Sequence, residues 1–198
     1  MKIIVVGASG TIGKRIVASL KDEHEIISVG SKSGDIHADI SSVESIENLF
    51  RQTGVFDALI CAAGNAYFGP WNTMADNEFR VGVNHKLMGQ INLVLIGQRY
   101  ISANGSFTLT SGLLSRNPVP AGSNASTVNG AINSFVIASA TELGDGIRIN
   151  VVSPGLVEDS TDYYAYFPGF IPVTMQRVVA GYQQSLLGSV TGQIIEVH

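Results

Sequence analysis

The sequence predicts an α/β chain with a doubly wound, seven-stranded parallel sheet and helices on both faces. Three observations carry that expectation. From Ile3 to Gly13 a continuous β-branched run meets a glycine-punctuated turn and then a helix. Along all 198 residues, short apolar runs alternate with amphipathic stretches, and there is no internal repeat, low-complexity tract or linker. Composition agrees: 14% charged residues, 45% hydrophobic ones and 22 glycines suit a sheet buried between helices, not a disordered or fibrous chain. A chain of this length can bury a substantial core as a single domain, residues 1–198.

Ile3 to Val6 reads as a strand buried on both faces of a parallel sheet. Gly7, Gly10 and Gly13 follow at Gly-x-x-Gly-x-x-Gly spacing, which supplies a tight turn, a bare backbone against which a pyrophosphate can lie, and a close helix-to-strand contact. A helix with Ile12, Ile16, Val17 and Leu20 on one face would aim its N-terminal amides at that anion. Because the glycines follow a strand and open a helix, the context favours a nucleotide site over a merely structural turn. Glu25 to Val29 is the second strand, and residues 30–34 form a loop at its carboxyl end, where a cofactor ribose would face it. A site selecting NAD places an Asp or Glu here for the ribose 2′-hydroxyl, whereas a 2′-phosphate wants a cation and hydroxyl donors. The loop holds Ser31 and Lys32 and no carboxylate, so it favours NADP(H); the alternative is that Lys32 is a solvated loop charge.

Ile36 to Asp39 is a short third strand, and Ser41 with Glu44 makes a capping box for a helix burying Val43, Ile46 and Phe50 and ending at Gly54. Asp57 to Ala62 is the fourth strand and opens into Ala63-Gly64, a small-residue corner through which a flat ligand could pass. A long helix is expected from about Asp76 to Tyr100, with Phe79, Val83, Leu87, Ile91 and Leu95 recurring every four residues. Ser106 to Ser111 is the fifth strand, Asn124 to Leu143 a small-residue helix, and Ile147 to Val152 the sixth strand, closed by Pro154-Gly155. Ser160 to Pro172 is an aromatic-rich connection with three tyrosines. A last helix carries Val178, Tyr182 and Leu186 before a seventh strand from Gln193 to Val197.

Charge and cysteine usage narrow the function classes. A net charge of −4 with no basic cluster argues against nucleic acid as a partner. Cys61 is the only cysteine, so no internal disulfide can form and a reducing, cytoplasmic setting is the simplest expectation. The N-terminal apolar stretch runs into the glycine turn and not into a cleavage site, and no segment is long and apolar enough for a membrane span. His24, His37, His85 and His198 are scattered without metal-ligand spacing, so no metal is expected.

In their order and spacing these motifs resemble the short-chain dehydrogenase/reductase family, over nearly the whole chain. Gly7-Ala-Ser-Gly-Thr-Ile-Gly13 resembles its glycine loop, with the middle glycine shifted from the commonest spacing. Asp39-Ile40 looks like the adenine-contacting pair, and Cys61-Ala62-Ala63-Gly64 resembles Asn-Ala-Ala-Gly with cysteine in the asparagine's place. Asn84 matches the helix asparagine of the catalytic set, and in Thr110-Ser111 the serine matches the substrate-orienting one. Ile147-Arg148-Ile149-Asn150 and Pro154-Gly155 fit the sixth strand and its nicotinamide-side corner, and Thr191-Gly192-Gln193 fits the last strand. The resemblance implies a Rossmann fold, NADP(H) as cofactor, and Ser111 and Asn84 as catalytic residues. The cofactor contacts it implies come from the turn (Gly7, Ser9, Gly10, Thr11, Ile12, Gly13), from Ser31, Lys32, Asp39 and Ile40, from Ala62, Ala63 and Gly64, and from Thr110, Asn129, Pro154, Gly155 and Val157. It further implies a homodimer through the two long helices, where Ala125, Gly130, Ala131, Ser134 and Ala138 would allow close approach.

The departure lies at the centre of the chemistry. Aligning Glu142-Leu143 with the family's helix end puts Ala125 where the catalytic tyrosine belongs and Asn129 where the lysine belongs. Sliding the alignment does not help: the last lysine is Lys86, and no tyrosine lies between Tyr100 and Tyr163. Loss of a positioned general acid is worth roughly 10² to 10⁴ in rate. Tyr67, Tyr163, Tyr164 and Tyr166 could approach the site, although such loop aromatics more often line a pocket than donate a proton. Cys61 reads as a small buried residue without a reactive role. Two functions therefore compete: a divergent oxidoreductase moving hydride between NADP(H) and a small carbonyl or alcohol, apolar or aromatic in character, and an inactive NADP(H)-binding sensor or scaffold.

Overall fold

The apolar run Ile3–Val6 is wholly removed from solvent because helices cover both faces of the strand it forms, β1 (Lys2–Val6). In the computed structural model, which describes all 198 residues, β1 lies inside one parallel sheet of seven strands in the order β3-β2-β1-β4-β5-β6-β7. The others are β2 (Glu25–Gly30), β3 (Ile36–His37), β4 (Phe56–Cys61), β5 (Ile101–Thr110), β6 (Arg148–Pro154) and β7 (Ile194–Val197). Alternate residues of β1 face opposite ways. Ile4 and Val6 pack with Ile46 and Phe50 of α2 (Val43–Thr53), Leu93 of α4 (Met88–Gly97) and Val136 of α5 (Ser123–Ser139). Ile3 and Val5 pack with Ile16 of α1 (Gly13–Leu20) and with Val178, Tyr182 and Leu186 of α6 (Met175–Leu187). The strand order reverses between β1 and β4, so their carboxyl ends leave the crevice in which doubly wound sheets bind ligands. No helix is long and apolar enough to cross a membrane.

Several local expectations shift. The cap of α2 is Ser42, whose hydroxyl accepts from Ser45 N (3.2 Å); Ser41 instead pairs with Asp39, and Val43 is half exposed. The expected helix from Asp76 to Tyr100 is three pieces: α3 (Asp76–Gly82), a π turn (Val83–Leu87) and α4. A π turn holds more residues than 3.6, so a four-residue stripe does not stay on one face across it. Leu95, expected inside, is 46% exposed, while Gly82, Gly89, Gln90, Leu93 and Gly97 are buried. The glycines are needed there: a Cβ at Gly89 would lie 2.9 Å from Ile40 Cγ1, and one at Gly97 2.8 Å from Phe50 Cζ. Strand β5 begins five residues before the expected Ser106. Its pairing with β4 jumps from Phe56–Ile101 to Ala58–Ser106, and Asn104 takes up the slack at φ 61°.

Candidate active site

The crevice between β1 and β4 is a polar cavity of about 480 Å³, lined by Gly7, Ser9, Gly10, Thr11, Gly30, Ser31, Asp39, Ile40 and the Ala62-Ala63-Gly64-Asn65 segment. The glycine turn is held against the sheet by two bonds to one carbonyl, Gly7 N and Ala8 N to Val29 O (2.8 and 3.3 Å). Beyond them the N–H groups of Ser9, Thr11 and Ile12 donate to no carbonyl, so the start of α1 offers unpaired donors to the cavity. Side chains are excluded where the backbone must be bare. Gly7 sits at φ 82°, and a Cβ there would lie 2.9 Å from Ala63 N; a Cβ on Gly13 would run into the Gly7 carbonyl. Asp39 accepts from the Ser41 hydroxyl and N–H (2.7 and 2.9 Å), which hold its carboxyl below the ordinary range. The loop after β2 is tied to the turn by Ser33, whose hydroxyl donates to Ser9 Oγ (3.0 Å). Its nearest carboxylate, Asp35, is turned back onto Ser28, accepting from the hydroxyl and N–H at 2.7 and 2.8 Å.

Through Gly64 and Asn65 this cavity adjoins a more apolar one of about 330 Å³, walled by Phe68, Leu113, Leu114, Leu156, Tyr163 and Phe167 and holding Ser111, Lys86, Asn129 and Pro154. Ser111 is fixed from below. Gln90 on α4 is fully buried and clamps Thr110, accepting from its N–H (2.8 Å) and donating to its carbonyl (2.9 Å). The Thr110 hydroxyl donates to Cys61 O and accepts from the Tyr182 phenol, each at 2.6 Å, tying β4, β5 and α6 together beneath the site. On that base Ser111 Oγ is buried without a hydrogen-bond partner. Lys86 enters from the π turn. Its stem passes over Gly64, where a Cβ would lie 2.5 Å from Lys86 Cγ, and its ammonium donates to Ser111 O (2.9 Å) and Asn129 Oδ1 (2.6 Å). Burial pushes that ammonium down to about 8.

A family model described as enoyl-(acyl carrier protein) reductase matches residues 4–183. The chain belongs to the short-chain dehydrogenase/reductase family. It is 39% identical to the protein lin1944 from Listeria innocua, each chain covering all of the other, with a TM-score of 0.98. It is 28% identical to a small-chain dehydrogenase solved in complex with NADPH, covering 100% of this chain and 96% of that one at TM-score 0.88. A dehydrogenase/reductase from Sinorhizobium meliloti 1021, 21% identical with coverage of 99% and 92%, shares the fold at TM-score 0.84. No curated protein matches the chain.

Within this family frame the structure gathers most of the expected residues. Gly7, Ser9, Gly10, Thr11, Ser31, Asp39, Ile40, Ala62, Ala63 and Gly64 line the polar cavity. Ile12, Ser111, Asn129, Pro154, Gly155 and Val157 line the apolar one. Gly13 acts by packing. Lys32 is exposed, forms no ion pair and stands outside the wall that Ser31 makes. Two expectations are corrected. Thr110 lines neither cavity, because its hydroxyl is spent on Cys61 and Tyr182. Asn84 is exposed on the π turn and lines neither cavity; the inward position two residues on belongs to Lys86. Ala125, the position that the sequence alignment sets against the family's tyrosine, forms cavity wall. Tyr67 donates to Glu78 (2.6 Å), Tyr164 to Glu158 O (3.0 Å) and Tyr166 packs on Phe68, which leaves Tyr163 as the tyrosine on the cavity wall. Cys61 is buried and its thiol pushed up to about 12, an inert residue. Sequence reasoning missed Lys86, Gln90 and Ser33. The signal for Lys86 was the missing cation at Asn129 together with a lysine two residues past Asn84.

Proposed function

We infer that the protein is an NADP(H)-dependent oxidoreductase that interconverts a small carbonyl compound and its alcohol. One observation carries the reading: a polar, glycine-walled cavity with unpaired amides adjoins, at Gly64 and Asn65, an apolar cavity holding the unpartnered Ser111 hydroxyl. The residues present fit a dinucleotide. The free N–H groups of Ser9, Thr11 and Ile12 suit a pyrophosphate, and Asp39 and Ile40 suit the adenosine end. For the 2′-phosphate, Ser31 on the wall and the unpaired Lys32 beside it are available, while Asp35 is turned back onto Ser28. Asn129 and the Pro154–Val157 corner suit the nicotinamide half. The cofactor supplies hydride; the protein orients the carbonyl with Ser111 and keeps water out with its aromatic wall. Phe68 with Tyr163 and Phe167 with Phe170 give that wall an apolar, ring-sized character, which favours an apolar or aromatic substrate.

Ala125 favours a second reading, an inactive NADP(H)-binding sensor or scaffold, since no phenol stands where the family keeps its acid. Fluorescence titration with NADPH and NADH, followed by a carbonyl screen at the NADPH absorbance, separates the two: tight NADPH binding with turnover supports the enzyme, tight binding without turnover the sensor. The single buried cysteine suits a reducing compartment, and we assign the protein to the cytoplasm. A homodimer is supported by apolar side chains left in solvent on α4 and α5, Leu95 at 46% and Ile137 at 51% exposure, flanking small residues such as Ser134 and Ala138.

A further inference from the structure

Of the tyrosines expected near the apolar cavity, two are engaged elsewhere and Tyr163 alone stands on the wall, its ring tilted against Phe68. The Tyr67 phenol is bonded to Glu78 and that of Tyr164 to the Glu158 carbonyl. Lys86 differs. An ammonium has three protons to give, and two are directed at Ser111 O and Asn129 Oδ1, both on residues of the same cavity wall; the third has no partner in the protein. Next to it the Ser111 hydroxyl is buried and unpartnered, a group whose bonding is left for a ligand to complete. A cation with a spare proton and a free hydroxyl on one wall suit a substrate oxygen on which negative charge develops. The bare Cα of Gly64 is what lets the lysine stem through.

We propose that Lys86 is the catalytic acid of this site in carbonyl reduction, and its base in alcohol oxidation, in place of the family's tyrosine. The assignment deepens the oxidoreductase reading and rests on it. Reduction requires two electrons and a hydrogen at carbon, supplied as hydride by NADPH, which leaves as NADP⁺, and one proton at oxygen. That proton comes from Nζ: the N–H bond breaks, the O–H bond of the alcohol forms, and the neutral amine left on Lys86 is reprotonated from solvent. In the reverse direction the neutral amine takes the alcohol's proton. Burial supports this use by bringing the ammonium to about 8, near a working pH at which a group both holds and yields a proton. The ionisable groups around it do not oppose that. The Cys61 thiol on β4 is neutral, His85 on the π turn accepts from Asn65 N at the other cavity, Tyr163 shares the wall, and no carboxylate lines the cavity.

The test compares the wild type with Lys86→Met, Lys86→Arg and Tyr163→Phe. The readouts are NADPH affinity by fluorescence, reduction of benzaldehyde, cyclohexanone and 2,3-butanedione, and the Lys86 titration followed by [ε-13C]lysine NMR, with the Met variant identifying the resonance. NADPH affinity is expected to stay within about threefold throughout. The rate is expected to fall by roughly 10² to 10⁴ in both Lys86 variants, Arg included because a guanidinium does not release its proton, and by less than about tenfold in Tyr163→Phe, which keeps the ring of the wall and loses only its hydroxyl. Wild-type reduction should decline as pH rises through the NMR midpoint near 8. A midpoint above about 10, an active Lys86→Met, or a loss carried by Tyr163→Phe overturns the assignment while leaving the oxidoreductase reading intact. A wild type that binds no NADPH, or binds it and reduces nothing, overturns the oxidoreductase reading and this assignment with it.

Discussion

Replacing Ser111 by alanine should make the protein more stable and less active at once. The Ser111 hydroxyl is buried with no partner, and a desolvated polar group without a bond costs about 1–3 kcal/mol. Removing it leaves the backbone bonds at this position untouched, since Ser111 N donates to Val152 O (3.0 Å) and Ser111 O accepts from Lys86. Alanine keeps Cβ and loses only Oγ, whose space joins a cavity that Ser111 already lines, so the added void costs little. A stabilisation of about 1 kcal/mol is expected, which for a chain of this size raises Tm by roughly 2–4 °C. Because the groups assigned to the pyrophosphate and adenosine line the polar cavity, which Ser111 does not, NADPH affinity should change little while kcat falls by roughly 10²-fold, the cost of one hydrogen bond to developing charge. Calorimetry with NADPH titration and steady-state kinetics on one preparation reads all three. A lower Tm in Ser111→Ala, or an unchanged kcat, would refute the idea that this hydroxyl is reserved for a ligand.

Lys32→Asp should weaken NADPH binding by tenfold or more and leave NADH binding equal or improved, because it puts a carboxylate where a 2′-phosphate would sit; equal affinity of the wild type for both cofactors removes the basis of the preference. Lys86 makes stability depend on pH. Its folded value, about 8, lies below the unfolded 10.5, so below 8 both states hold the proton and the penalty for burying the ammonium is complete. Between 8 and 10.5 the unfolded chain binds more protons and stability rises with pH, by at most on the order of 3 kcal/mol. Urea midpoints of the wild type should therefore gain on those of Lys86→Met across that window, and parallel curves would count against a depressed lysine. Light scattering at micromolar concentration should give a dimer mass that Leu95→Glu or Ile137→Glu converts to monomer; a monomeric wild type ends the dimer assignment.

The sheet was legible because its strands write their burial directly into the sequence. Ile3–Val6 has no polar residue to face solvent on either side, and its neighbours nearer the centre carry short buried runs of the same kind, Ala58–Cys61 in β4 and Val151–Val152 in β6, ahead of a small-residue or Pro-Gly corner. The α3–α4 region was not, because periodicity assumes a constant number of residues per turn. The π turn at Val83–Leu87 breaks that assumption without any proline to announce it, and it turns the stripe ending in Leu95 outward. The cap of α2 slipped by one residue for a similar local reason. Ser41 and Ser42 are equally good caps in isolation, and Asp39 takes the first.

The site shows the same division between what backbone demands and what side chains reach. Positions that must be bare, Gly7, Gly13 and Gly64, are written as glycine and can be read. Thr110 could not be separated from Ser111 by sequence, since both hydroxyls end one strand. Strand alternation and the far end of α6 decide it, Thr110 turning to Tyr182 and Ser111 to the cavity. Lys86 was hidden by the assumption that a cation lost from one helix is lost from the site. Nζ stands several bonds from the backbone, so a lysine on a different element can reach the Asn129 amide, the group aligned with the family's lysine. Two changes permit the exchange: a π turn that presents position 86 inward, and Asn129, an acceptor where a lysine could only have repelled the incoming ammonium. Restoring a lysine there should on this argument expel Lys86: Ala125→Tyr/Asn129→Lys should retain NADPH binding yet lose the resonance that titrates near 8, and persistence of that resonance would show that the two cations do not compete for one place.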